Sequence, residues 1–393
     1  MAKLIVIGDP GGERSPFLRG IMVQSLINIG IGFDEAYELA QSIRSDLQET
    51  QEISSKELRS RVAALLESRY GSEMRTQYET RPQGDPGIIV HTTTRSEPFS
   101  VGILARSLET CAIEPEMAIQ GAHKVLASLR KTGHREIDHK TLRRVIYRCL
   151  HEHCSKKAAE RYLSWRRFEN SGLPLIILVG GVAGSGKSTL SSELAYRLGI
   201  SHLQSTDMMR EIIRAYLSPQ MVPTLKYSSF DAWRGLPGSA DSSGPAIENP
   251  VTTGFISQFS TMKLALDSTI RRAIEERHHL VLEGVHVVPT ELNLEPDPRE
   301  AVVIPIMLAS MKKEMLGRQL TRRGSEIAGR NDTNGLDNLD DIWELQSWLL
   351  DEADRAGIYI IENWSIEQAA SNALNYIIGE LQKYFPTRPD DDI

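Results

Sequence analysis

The sequence predicts an α/β chain: a doubly wound parallel-sheet domain of five strands, preceded by two mostly helical repeats. Three observations carry this reading. The apolar run Leu175 to Val179 leads at once into a glycine-rich turn and a helix-patterned stretch. Four further short apolar runs follow, separated by helical periodicity. In the first half, a set of residues recurs at a constant offset, since 99 − 17 = 82 and 129 − 47 = 82.

The repeat sets Ser15-Pro16-Phe17, Ser25-Leu26, Ala36, Ala40 and Leu47 against Glu97-Pro98-Phe99, Ser107-Leu108, Ala118, Ala122 and Leu129. Ile53 and Leu58-Arg59 then match Ile137 and Leu142-Arg143 at an offset of 84, so the second copy has gained two residues in a loop. Each copy opens on a short β-branched run, Leu4 to Ile7 or Ile88 to Thr94, and continues into three helical stretches. Ile21, Leu26 and Ile29 share one face of the first helix; Ala36, Leu39, Ala40 and Ile43 share one face of the second. Asp34 is the expected cap of the second helix in the first copy, with Glu116 as its counterpart. Ser54 and Asp138 start the third helix, and Ser54 with Glu57 has capping-box spacing. Matched spacing over this length points to duplication, with copies at 1–82 and 83–168.

Composition narrows the class. Of 393 residues, 40% are hydrophobic and 25% charged, the mix of a soluble globular protein with sizeable cores. A net charge of −7 argues against a general nucleic-acid coat or an anionic-membrane binder. Three cysteines without a CxxC pair fit reduced thiols. The opening apolar run is too short for a signal-peptide core. No stretch reaches the roughly 18 apolar residues of a membrane span, so a cytoplasmic protein is expected. The basic and aromatic stretch Lys156 to Phe168 reads as a connecting amphipathic helix or as a nucleic-acid grip, and the acidic balance of the chain favours the helix. Asn170 to Pro174 reads as a linker into the domain at 169–393.

The turn after the first strand is Gly181-Val182-Ala183-Gly184-Ser185-Gly186-Lys187-Ser188, followed by Thr189 and a helix. Strand, GxxxxGKS and helix together form the phosphate-binding P-loop context. Gly181, Gly184 and Gly186 let the backbone close on phosphate, where N–H groups and the helix N-terminus converge. Lys187 is placed for the β and γ phosphates, and the Ser188 hydroxyl for magnesium. ATP and Mg2+ are the expected cofactors.

The other strands are expected at 202–205, 280–283, 302–308 and 358–361, with the active site at their carboxyl ends. After the second strand, Asp207 either accepts the proton of an acceptor hydroxyl or caps the next helix, and both roles are compatible. Arg210 faces the same way and suits an acidic substrate group. After the third strand, Glu283 is a Walker B type carboxylate for magnesium, Gly284 admits close backbone approach, and His286 is a substrate ligand or a plain loop histidine. After the fourth come Arg318, Arg322, Arg323 and Arg330, either solvated helix arginines or a lid over 318–337, with Arg322 the candidate for transition-state charge. The insertion 217–257 holds Lys226 and Arg234 as candidate anion contacts, or is a plain surface loop.

The repeats resemble the ATP-cone module, which senses nucleotides in ribonucleotide reductases and is fused to other enzymes. The basic pair expected before the hairpin turn is absent from Ile7 to Pro10 and from His91 to Thr94. The copies are therefore either nucleotide sites or helical modules for self-association into a homo-oligomer. The ordered set of P-loop, Ser205-Thr206-Asp207-Met208-Met209-Arg210-Glu211, Lys226-Tyr227-Ser228-Ser229-Phe230 and Leu282-Glu283-Gly284-Val285-His286 is similar to the 2-phosphoglycerate kinase family. That resemblance implies a P-loop kinase making 2,3-bisphosphoglycerate from 2-phosphoglycerate with ATP and magnesium. A kinase for another phosphorylated polyol, such as an inositol phosphate, and a nucleotide-sensing regulatory ATPase remain open.

Overall fold

The computed structural model describes residues 5–7, 14–17, 19–27, 29, 31–47, 52–80, 88–91, 96–133, 136–218, 220–238, 247–288, 290–292, 297, 299–326 and 337–386. The chain divides into two compact units, Met1–Ile89 and Val90–Ile393.

In the first unit, strand β1 (Ile5–Ile7) pairs antiparallel with β2 (Arg14–Pro16) and parallel with β3 (Glu52–Ser54), so that Val6 faces both Ser15 and Ile53. Helices α1 (Arg19–Ile27) and α2 (Phe33–Asp46) come before β3, and α3 (Ser55–Tyr70) and α4 (Ser72–Thr80) after it. Leu26, Ile29, Ala36, Leu39, Ala40 and Ile43 are buried in one core, while the side chain of Ile21 lies outside the described residues. The Ser54 hydroxyl accepts from Glu57 N at 3.1 Å, as the capping spacing requires. Asp34 is not a cap. The N-cap is Gly32, without a side-chain bond, and Asp34 sits in the first turn, where its charge meets the helix dipole.

The second unit begins with the same order of elements. Strands β4 (Ile89–His91), β5 (Ser96–Pro98) and β6 (Glu136–Asp138) form a sheet of order β5-β4-β6, with α5 (Val101–Thr110), α6 (Pro115–Lys131) and α7 (His139–His153) around it. Asp138 caps α7 by accepting from Lys140 N and Thr141 N. The counterpart of Asp34 again lies inside its helix, because Glu114 is the N-cap and Pro115 starts the first turn ahead of Glu116.

Helix α8 (Lys156–Ser171) follows, and its aromatic residues turn inward: Tyr162, Trp165 and Phe168 are buried. No aromatic platform for nucleic acid is left on it. Phe168 meets Phe385 edge-on, with ring centres 5.7 Å apart, and His279 at 5.6 Å. The Arg167 guanidinium donates to the Pro386 carbonyl. A division at 168/169 would thus cut through a helix whose side chains belong to the core beyond it.

The sheet of the C-terminal half has the order β11-β10-β7-β9-β8, every neighbouring pair parallel. Its strands are β7 (Leu175–Gly180), β8 (His202–Ser205), β9 (Leu280–Gly284), β10 (Val302–Ala309) and β11 (Tyr359–Glu362). The central strand β7 is buried at every position, as a continuous apolar run in a parallel sheet must be. Ile176, Leu178, Leu280 and Leu282 join one core with Phe255 and Leu266 of α11 (Pro250–Glu275) and Leu345 and Leu349 of α13 (Leu339–Arg355). The alternate residues Ile177 and Val179 point to the opposite layer, built from α9 (Lys187–Leu198) and α14 (Ile366–Tyr384). Helix α10 (Thr206–Tyr216) follows β8, and α12 (Lys313–Glu326) follows β10. Helix α5 sits on the far end of α9: Thr110 Oγ1 donates to the Arg197 carbonyl at 3.0 Å, and Arg106 lies over the Tyr196 ring at 4.9 Å.

The described part of the insertion is built rather than loose. Two single 3-10 turns, Pro223–Lys226 and Ala232–Gly235, bury Leu225, Phe230 and Ala232 against α11. Helix α11 starts at Pro250, so the expected boundary at 257 falls inside it. Residues 239–246, and 327–336 of the expected lid, lie outside the described residues. Among the described residues no helix is long and apolar enough to cross a membrane.

Candidate active site

The carboxyl ends of β7, β8, β9 and β11 bring four elements to one place. Beyond β7 the chain turns tightly into α9, with Gly184 at φ +81° and Gly186 at φ +91°. These are left-handed conformations that glycine adopts without strain. At Gly186 a β-carbon would also come within 2.4 Å of the Asn363 amide nitrogen, so the position excludes any side chain. Asn363 Nδ2 donates to the Ser185 carbonyl at 2.8 Å.

Lys187 lies at the start of α9 and is only 4% exposed, with Nζ 3.4 Å from the Val182 carbonyl. A buried ammonium with so little local compensation is placed for an anion that arrives from solution. The next residue reaches across the sheet. Ser188 Oγ donates to Glu283 Oε1 at 3.1 Å, because β7 and β9 are neighbours and Glu283 lies in the last two residues of β9. The second carboxylate oxygen, Glu283 Oε2, is buried and has no protein partner. An orphaned carboxylate oxygen beside a serine hydroxyl is the kind of hard oxygen donor set that would suit a magnesium ion. The P-loop opens on a cavity of about 470 Å³ lined by Lys187, Ser188, Thr189, Gln319, Asn363 and Trp364, among others.

On the other flank, Asp207 and Arg210 lie in the first turns of α10, beside β9. Asp207 is half-buried, and the side chain of Arg210 is largely covered. Arg210 donates to the Tyr227 carbonyl at 2.9 Å and pairs with Glu211 at 3.2 Å. Thr206, before Asp207, is fully buried, and its hydroxyl lies 3.1 Å from His286 Nδ1.

His286 corrects an expectation. It is completely buried, and both ring nitrogens are engaged: Nδ1 by Thr206, and Nε2 by Gln258 Oε1 at 2.9 Å. No face of it is free for a substrate. Burial, with Arg210 and Lys187 adding to it against the pull of Asp207, lowers its pKa to about 3. Arg234 is likewise committed within the fold. It pairs with Asp231 at 3.0 Å, reaches Asn338 at 3.3 Å and lies over Trp233. Those contacts tie the insertion to the start of α13 and leave the Arg234 side chain 48% exposed. Lys226 is exposed, with its ammonium 5.7 Å from the Tyr227 ring centre. Arg318 is exposed on α12, whereas the side chains of Arg322 and Arg323, and all of Arg330, lie outside the described residues.

Four contributors escaped the sequence reading. Asn363 and Trp364 follow β11, and the rule that strand ends line the site would have found them. Gln258 and Gln319 are polar residues within helical stretches, with no sequence signal to set them apart.

A parallel sheet with this P-loop, a serine–carboxylate pair across the two inner strands and an acid–arginine pair at the next strand end defines a P-loop kinase. Comparisons with known proteins agree. An ATP cone domain model matches residues 88–171. The chain is 35% identical over 283 residues to 2-phosphoglycerate kinase of Pyrococcus horikoshii, covering 72% of this chain and 90% of that one. It is 34% identical over 281 residues to the Pyrococcus furiosus protein of that name, covering 72% and 89%. It is 32% identical over 317 residues to the Methanopyrus kandleri one, covering 80% and 95%. The chain belongs to the 2-phosphoglycerate kinase family.

Proposed function

We propose that this enzyme transfers the γ-phosphoryl group of ATP to the free hydroxyl of 2-phosphoglycerate, yielding 2,3-bisphosphoglycerate and ADP. The observation that carries the reading is the Ser188–Glu283 pair with its orphaned oxygen, set between the P-loop and the Asp207–Arg210 turn.

The P-loop N–H groups and Lys187 hold the β and γ phosphates. Ser188 and Glu283 would hold magnesium, which would offset charge on the phosphates. Asp207 orients the acceptor hydroxyl and takes its proton as the oxygen–phosphorus bond forms and the bond to the β-phosphate oxygen breaks. Arg210 offers fixed positive charge to the substrate's carboxylate or phosphate, and Lys226 supplies a second cation. Arg322, on the helix that follows β10, serves the transferred group. In this reading residues 1–82 and 83–168 are two copies of one cone-like module. The common order of strands and helices supports that view, and the modules are the route to any homo-oligomer.

The test is ADP release measured over a panel of phosphorylated acids and polyols. Magnesium-dependent turnover with 2-phosphoglycerate, well above that with inositol phosphates, is expected. Turnover indifferent to every acceptor, together with a nucleotide-dependent change of oligomeric state, would favour a regulatory ATPase.

A further inference from the structure

We propose that Thr206, His286 and Gln258 form a buried relay that fixes the acceptor side of the active site, with His286 as its central positioning residue. The proposal rests on the kinase reading above and specifies how its acceptor half is held in place.

The relay has a defined direction. Gln258 Nε2 lies 2.7 Å from the Thr224 carbonyl and 3.1 Å from the Tyr227 carbonyl. Carbonyl oxygens only accept, so the amide nitrogen must face them, and Gln258 Oε1 must face His286. An amide oxygen only accepts as well, so His286 Nε2 carries the proton. The ring is neutral, which leaves Nδ1 as an acceptor for the Thr206 hydroxyl. Each buried side-chain group of the relay that faces a partner finds one of the right kind, the condition under which a buried polar network selects a single arrangement.

The path closes on the acceptor residues at two points. Thr206 immediately precedes Asp207. The Tyr227 carbonyl that receives the relay's last bond also accepts from Arg210. The first turn of α10 and the segment around Tyr227 are therefore held as one piece. The surroundings are shaped for it. Gly284 sits at φ +151°, and a β-carbon there would lie 1.8 Å from Thr206 Oγ1. Phe255 stacks on the His286 ring at 5.5 Å with 23° between planes, which holds the imidazole plane. The charges that act on His286 are those of Asp207, Arg210 and Lys187, the same groups assigned to transfer.

Thr206→Val keeps the shape and removes the hydroxyl. It should lower kcat by about ten- to a hundredfold and raise KM for 2-phosphoglycerate, because small misplacements of reacting groups cost that much. KM for ATP should stay within about twofold, since the P-loop makes no bond to the relay. Thr206→Ser should restore turnover. His286→Leu, which can neither donate to Gln258 nor accept from Thr206, should match Thr206→Val, and the double variant should be no worse than either. Folded Thr206→Val with wild-type kinetics overturns the proposal, and so does an equal loss of ATP affinity that serine fails to restore. A second readout needs no acceptor. The 15N signals of His286, assigned by their loss in His286→Gln, should report a neutral ring protonated at Nε2. An Nδ1-protonated or charged ring at pH 7 also overturns the relay. Wild-type protein without 2-phosphoglycerate turnover would instead sink the substrate assignment, and the ring signals would still decide the relay.

Discussion

The side-chain amide of Asn363 donates to the main-chain carbonyl of Ser185 at 2.8 Å, from the end of β11 to the crown of the P-loop. In a trans peptide the C=O and the following N–H point in opposite directions. Holding the Ser185 carbonyl therefore fixes the direction of the Gly186 N–H. Asn363→Ala should weaken ATP binding by about tenfold, the worth of roughly one well-placed hydrogen bond. Asn363→Asp should weaken it further, since a carboxylate would face the carbonyl oxygen and lie near the phosphates. Calorimetric titration with a non-hydrolysable ATP analogue measures both, and unchanged affinity in folded protein contradicts the account.

Lys187→Ala should abolish phosphoryl transfer, because its ammonium is the cation buried within the loop. A coupled ADP assay is sufficient, and full turnover in this variant would remove the P-loop assignment.

Asp207→Asn should leave ATP binding intact while cutting turnover by about 10²- to 10⁴-fold, the usual worth of a positioned proton acceptor. Normal kcat at saturating ATP with weakened nucleotide binding would mark Asp207 as structural.

Trp364 lines the P-loop cavity yet is 58% exposed, with the Lys312 ammonium 5.6 Å from its ring centre. An exposed indole at a cavity wall offers a flat surface to a nucleobase. ATP should change its fluorescence. Trp364→Phe should lose that signal but keep the affinity, and Trp364→Ala should bind several-fold more weakly. An undiminished signal in Trp364→Phe would place the base elsewhere.

His286 also predicts a pH effect on stability. Its folded pKa of about 3 is below the ordinary 6.5, so between those values the unfolded chain binds the extra proton. Stability should fall as pH drops from about 6.5 toward 3. In His286→Gln the acid slope of denaturant midpoints should be shallower by up to one proton, and an unchanged slope would contradict the burial of a neutral ring.

The strand–loop–helix of the P-loop was legible because its chemistry is local: phosphate binding needs those glycines, that lysine and that serine in one turn. Glu283 was legible for a related reason, as an acid ending an apolar strand. His286 and Arg234 stayed open between a substrate role and a structural one because their partners lie far along the chain. His286 meets Thr206 and Gln258 across three elements, and Arg234 meets Asn338 at the start of α13. The caps show the same contrast. Ser54 carried its partner three residues away, whereas Asp34 looked like a cap only until the backbone of Gly32 took that place.

Helix α8 has a consequence for how this protein can be taken apart. It follows directly from the second repeat, and the ATP cone match includes it, yet its Phe168 ring covers His279 and Phe385. A catalytic fragment cut after Ser171 would carry an open aromatic socket where that ring had been, an invitation to aggregate. The natural place to sever the chain is between Thr80 and Ile88, ahead of β4, where the first compact unit ends. The segment that the ATP cone model matches could not leave without the catalytic half being resurfaced.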